Sequence, residues 1–256
     1  MNKQLNISLV QADLSTDIKK NISLFNKLLK QIRYTDIILL PEMFNTSFLP
    51  EETSLSETMN GRTINWMKKV SQERSCSISG TLMIKDGSHV YNRLVWISNT
   101  GDLFSYDKRH LFSLAKENKF LKKGNKRLIV EHKGWKICPL ICYDLRFPVF
   151  SRNNIDYDIL IYLSNWPQKR IEAWNTLLKA RAIENQCYTI GINRVGKDKK
   201  GVLYNGYSQV FDSFGKKLLN MKNKEQVGSI LLDKEHIDRK KSKFNFLKDR
   251  DNFTIH

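Results

Sequence analysis

Three residues whose side chains can carry out acyl transfer, Glu42, Lys108 and Cys142, each fall just past the C-terminal end of a predicted strand. Cys142 closes the run 137–141 and is followed at once by a polar, charged segment. A free thiol with a pKa near ~8.5 is a modest nucleophile at neutral pH and needs a base or a nearby cation. Glu42 could accept the thiol proton and later activate water, while Lys108 could hold the thiolate and stabilise an oxyanion. The backbone N–H of Tyr143, the residue after the nucleophile on a tight turn, is the natural second oxyanion donor. Taken singly, each residue has an ordinary explanation: a surface acid, one of many basic side chains, a core thiol. The shared address favours function, because neighbouring strand ends deliver side chains into one crevice.

The elements that must position them follow from the apolar pattern. Residues 6–11 alternate in part and read as a first strand, and 17–32 carry apolar residues at spacings of three and four, an amphipathic helix. The run 37–40 has strand length and stops at Pro41, which cannot donate to a sheet ladder, so Glu42 lies beyond a strand end. A second helix is expected over 61–72. Strands over 77–84 and 89–98 are joined across Asp86-Gly87, a hairpin signal. The strand 103–107 precedes Lys108, and 109–123 reads as basic and irregular with the single acid Glu117. Further strands are expected over 159–163, 187–193 and 228–232, with a strong helix over 170–185. Strands alternate with helices yet also form hairpins, so a mixed sheet with helices packed on it is expected. One domain spanning 1–256 is expected, with a polar tail from about 233.

Composition bounds the function class. The chain has 256 residues, 41% of them hydrophobic, which suits a globular fold with a sizeable core. No apolar run nears the roughly 20 residues that span a bilayer, and the N-terminus lacks a signal-peptide pattern, so a cytoplasmic protein is expected. Cys76, Cys138 and Cys187 read as buried core thiols, and no CxxC pair is present. The formal charge of +17 is scattered, and no nucleic-acid module accompanies it. It reads as a solvated basic surface that favours an anionic small substrate, with no nucleic-acid or membrane partner. The five histidines show no metal-ligand spacing, and neither GxGxxG nor a P-loop occurs, so no metal or cofactor is expected.

Three segments carry a family likeness: 41–44 (PEMF), 106–112 (YDKRHLF) and 142–148 (CYDLRFP). In order and spacing they resemble the signature segments of the nitrilase superfamily, the carbon-nitrogen hydrolases, over nearly the whole chain. The resemblance implies an α-β-β-α sandwich that dimerises into a four-layer assembly. It also implies a Glu-Lys-Cys triad, here Glu42, Lys108 and Cys142, with Glu117 matching the second glutamate of the family. Finer features, 164–167 (SNWP) with Arg170, 174–185 (WNTLLKARAIEN), 193–196 and 204–208, resemble the bacterial ω-amidase branch, the 2-oxoglutaramate amidases. That branch cleaves the terminal amide of 2-oxoglutaramate or 2-oxosuccinamate. The loop 113–116 (SLAK) departs from it in lacking glycine.

A substrate with a carboxylate needs a cation. Arg170, Arg146 and Arg194 are candidates, Arg146 also as an ion-pair partner beside the nucleophile turn. Phe44, Tyr143 and Trp166 could wall a small pocket. Other readings stand beside this one. They are an N-carbamoyl amino acid amidohydrolase, a deaminated glutathione amidase, an aliphatic amidase, a Cys-His hydrolase using His110, or a non-catalytic binding protein on the same fold.

Overall fold

The computed structural model describes residues 3–255, so the first two residues and the last of the expected domain lie outside the description. From the N-terminus the chain forms β1 (Gln4–Gln11), α1 (Ile18–Leu29), β2 (Ile37–Leu39), α2 (Arg62–Arg74), β3 (Ser77–Asp86), β4 (His89–Ile97) and β5 (Leu103–Asp107). There follow α3 (Glu117–Phe120), β6 (Val130–His132), β7 (Trp135–Ile141), α4 (Pro148–Ser151), β8 (Ile159–Ser164) and α5 (Ile171–Glu184). The last elements are β9 (Tyr188–Asn193), β10 (Val195–Lys197), β11 (Leu203–Asn205), β12 (Gln209–Phe211), β13 (Lys217–Asn220), β14 (Gln226–Asp233) and α6 (Lys234–Lys243).

Two six-stranded sheets result, ordered β14-β1-β2-β3-β4-β5 and β13-β12-β9-β8-β7-β6. Each has three parallel strands at its centre, β1-β2-β3 in one and β7-β8-β9 in the other, flanked by antiparallel strands. Strands buried on both faces read as continuous apolar runs, and the side-chain period of two then sorts them. Ile37 and Leu39 of β2 join Leu5, Ile7, Leu94 and Trp96 against the second sheet. Ile38 and Leu40 face the other way, onto Phe25 and Leu28 of α1 and Ile64 and Met67 of α2. Trp174, Leu178 and Ala182 of α5 cover the second sheet. The layers are therefore helix, sheet, sheet, helix, as the resemblance implied.

Local signals explain the element ends. Asp17 caps α1, its carboxylate accepting the Lys19 and Lys20 N–H groups at 2.8 and 3.2 Å. Gly87 takes φ +59° in the two-residue turn that pairs Asp86 with His89. The polar segment from about 233, expected as a tail, is instead helical over α6. Ile237 and Leu247 are buried beneath its charged face. The ammonium groups of Lys234 and Lys241 bind Asp158 at 2.6 and 3.0 Å. Its composition is polar because the anchoring rests on two apolar side chains and one buried carboxylate. Among the described residues no helix is long and apolar enough to cross a membrane.

Candidate active site

β7 delivers Cys142 directly into a 3-10 turn, Cys142–Arg146, and the cysteine itself takes φ +42°. A side chain at left-handed φ costs on the order of 1–3 kcal/mol and persists only where its surroundings hold it. Here they do. The buried Asp144 carboxylate accepts the Ile141 N–H at 3.0 Å, the Tyr106 hydroxyl at 2.8 Å and the His110 N–H at 3.0 Å. Arg181 of α5 donates to the Leu145 carbonyl at 2.6 Å. The turn leaves Cys142 mostly buried but lining a cavity of about 770 Å³, while Cys76, Cys138 and Cys187 are buried. Tyr143 lines the same cavity, and its N–H, in the first turn of a short helix, has no partner within that turn.

Glu42, Lys108 and Glu117 are all fully buried and meet at one ammonium. Lys108 Nζ donates to Glu42 Oε1 at 2.7 Å and to Glu117 Oε2 and Oε1 at 2.9 and 3.1 Å. Glu42 Oε2 accepts the Asn165 N–H at 2.9 Å, and Glu117 Oε2 accepts the Phe112 N–H at 2.6 Å. Burial alone would lower the Lys108 pKa, but the Glu117 and Glu42 carboxylates outweigh it and hold the ammonium firmly charged. Burial pushes the Glu117 carboxyl up, against the pull of Lys108. The Cys142 thiol is held well above its ordinary range, first by burial and then by the Glu42 charge, with Lys108 opposing. The arrangement thus favours a protonated thiol beside a carboxylate, a pair suited to nucleophilic attack in which the carboxylate takes the thiol proton.

The structure sorts the remaining expectations. Tyr143, Trp166, Arg146 and Arg170 line the cavity. Arg146 lies 5.0 Å over the Trp166 ring and Arg170 lies 5.1 Å over Phe112, both in cation–π contact. Among the described residues neither guanidinium pairs with a carboxylate, so Arg146 is not the ion-pair partner that was expected of it. Arg194 is buried away from the cavity, bound to Asp13 at 2.9 Å and to the Leu14 carbonyl at 2.8 Å. Phe44 is a correction. Met43 takes φ +42°, which turns the chain so that Phe44 packs against Phe25, Trp66 and Gly80 on the helix side of the first sheet. Phe48 takes the expected place in the wall, its ring 5.4 Å from Lys108 Nζ.

His110 stacks on Phe147 at 3.8 Å and binds Asp144 through Nδ1 at 2.7 Å, a structural position outside the cavity wall. The loop before Glu117 closes without glycine because Lys116 itself adopts φ +58°. Two site residues were not singled out from sequence. Asn165 lay within the quoted 164–167 segment, and its amide also holds the Glu42 carbonyl at 2.8 Å. Asn92 binds both glutamates, and its only signal was a polar residue leading an apolar strand.

Comparisons with known proteins identify the family and the fold. Residues 4–240 match the family described as carbon-nitrogen hydrolase. The chain is 44% identical over 212 residues, 82% of each chain, to the omega-amidase YafV of Escherichia coli strain K12. To the 2-oxoglutaramate amidase of Bacillus subtilis it is 31% identical over 194 residues, 74% of each. Among solved structures, XC1258 from Xanthomonas campestris superposes with a TM-score of 0.96 at 36% identity, covering 99% of each chain. That protein is described as a CN-hydrolase superfamily member with an arsenic adduct in its active site. With the fold, a buried Glu-Lys-Glu cluster and a cavity-lining strand-end thiol all in place, the chain belongs to the carbon-nitrogen hydrolase family.

Proposed function

We propose that the protein hydrolyses the terminal amide of a small 2-oxo dicarboxylic acid monoamide, 2-oxoglutaramate or 2-oxosuccinamate, to the 2-oxo acid and ammonia. The observation that carries this reading is the Glu42 carboxylate bound to Lys108 at 2.7 Å in a cavity that Cys142 also lines, with two guanidinium groups that pair with no carboxylate among the described residues. The names of the YafV and 2-oxoglutaramate amidase relatives support the substrate class.

In the cycle we propose, Cys142 Sγ attacks the amide carbonyl while Glu42 takes the thiol proton. Lys108 Nζ and the Tyr143 N–H stabilise the oxyanion. Collapse breaks the C–N bond, and Glu42 returns its proton to the departing nitrogen, which leaves as ammonia. Glu42 then takes a proton from water as the water attacks the thioester. Collapse of the second intermediate releases the acid and restores the thiol. Glu117 shares Lys108 with Glu42 throughout and keeps the ammonium charged. Arg170, with Arg146 beside it, meets the substrate carboxylate, and Trp166 and Phe48 wall its carbon chain.

An ammonia-release panel tests the substrate class: 2-oxoglutaramate, 2-oxosuccinamate, glutamine, an N-carbamoyl amino acid and a simple nitrile. The 2-oxo amides should be preferred by kcat/KM. Preference for the carbamoyl compound or the nitrile would overturn the ω-amidase assignment and leave the family intact. The reading includes a single catalytic domain that acts as a cytoplasmic homodimer, and sedimentation at the mass of one chain would contradict the dimer.

A further inference from the structure

Asn92 lies on β4 opposite Met83, fully buried, on a strand that is apolar from Leu94 to Ile97. Its side chain is neutral, yet it meets two catalytic carboxylates, and its backbone meets that of Lys108. Both hydrogens of Nδ2 go to carboxylates, Glu42 Oε1 at 2.8 Å and Glu117 Oε1 at 3.0 Å. Its backbone carbonyl accepts the Lys108 N–H at 3.0 Å.

The direction of this amide is fixed by the two carboxylates, groups able only to accept. Nδ2 must face them, which leaves Oδ1 to accept the Thr81 hydroxyl at 2.8 Å. Thr81 Oγ1 in turn accepts the Met43 N–H at 2.8 Å, which holds the hydroxyl in place. A turned amide would set Oδ1, an acceptor, against two carboxylates with no hydrogen to share.

The consequence is geometric. Glu42 Oε1 takes both Lys108 and Asn92, and Glu117 Oε1 takes the same two donors. Among the described residues Glu42 Oε2 accepts only the Asn165 N–H and so retains room for the thiol proton. Facing the two carboxylates are Lys108 from the end of β5 and Cys142 from the turn after β7. One ammonium between two buried carboxylates leaves a net negative charge. Each neutral donor removed makes protonation of one carboxylate easier.

We propose that Asn92 is a positioning residue that holds Glu42 and Glu117 together on Lys108 and leaves Glu42 Oε2 as the oxygen open to Cys142. Turnover tests this on the substrate reading above. Alkylation of Cys142 by iodoacetamide, followed by mass spectrometry against pH, tests it without any substrate.

A hydrogen bond to a charged group contributes enough that Asn92→Ala should lower kcat by roughly 10- to 100-fold with KM within about threefold. The acid limb of its alkylation rate should move to higher pH by about half a unit or more, because the carboxylates lose a donor. Thr81→Val keeps the shape of threonine and removes the hydroxyl, so kcat should fall about tenfold. Thr81→Ser keeps the hydroxyl and should stay within about threefold of the parent. A packing role would reverse that order, with Val tolerated and Ser impaired. The proposal is overturned if Asn92→Ala or Thr81→Val keeps kcat within about threefold and an unmoved acid limb. Should Asn92→Ala not fold, the Thr81 pair decides. If the parent releases no ammonia from 2-oxoglutaramate, the substrate reading fails while the alkylation rates still judge Asn92.

Discussion

The decisive residue is a thiol that rests protonated. Burial and the Glu42 charge both disfavour the Cys142 thiolate, and Lys108 opposes them without prevailing. A free thiolate would react with any electrophile that entered, whereas in the cycle proposed above the thiol deprotonates only as attack proceeds. Selectivity is thus left to the cavity wall. There Arg170 has a guanidinium over Phe112 and, among the described residues, no carboxylate partner, and on the proposed function it is the cation that meets the anionic substrate. Replacing Arg170 with alanine should raise KM for 2-oxoglutaramate by roughly 10- to 100-fold while kcat changes less, since a charge-assisted contact made equally in ground and transition states acts on binding. An unchanged Michaelis constant in steady-state kinetics would move the role to Arg146.

At the scale of elements, one carboxylate joins two of them. Asp144 ties the turn after β7 to the segment after β5, accepting from Ile141, Tyr106 and both the N–H and Nδ1 of His110. The positive φ of Cys142 depends on that clamp. Asp144→Ala leaves several buried donors unpaired, so we expect a loss of about 3 kcal/mol in urea unfolding, together with most of the turnover. A variant with an unchanged unfolding midpoint would show that the turn holds itself. Much of this was legible before the structure. The runs 37–40 and 137–141 are buried strands whose ends carry Glu42 and Cys142, as their composition suggested. Phe44 was misplaced because alternation carries no information past Pro41, where Met43 reverses the chain. Asn92 was not legible, because only the register of β4 against β3 and β5 brings it between Glu42 and Glu117. The tail was read from its charge, which conceals the two apolar anchors of α6 and the segment after it.

Across the whole molecule, two sheets with parallel centres pack face to face so that β2, β5, β7 and β8 end at one cavity. The net charge of +17 is spread over the surface, yet Arg146, Lys169, Arg170 and Lys200 all border the cavity. An excess of cations at the mouth of a partly apolar pocket raises the local concentration of anionic substrates, an effect that weakens with ionic strength. The central claim, that acyl transfer runs through the strand-end thiol, is tested most directly by ammonia release from 2-oxoglutaramate by Cys142→Ala beside the parent enzyme. The account predicts a fall in kcat of about 10,000-fold or more, as for other enzymes deprived of a covalent nucleophile, and release within about tenfold of the parent rate would contradict it.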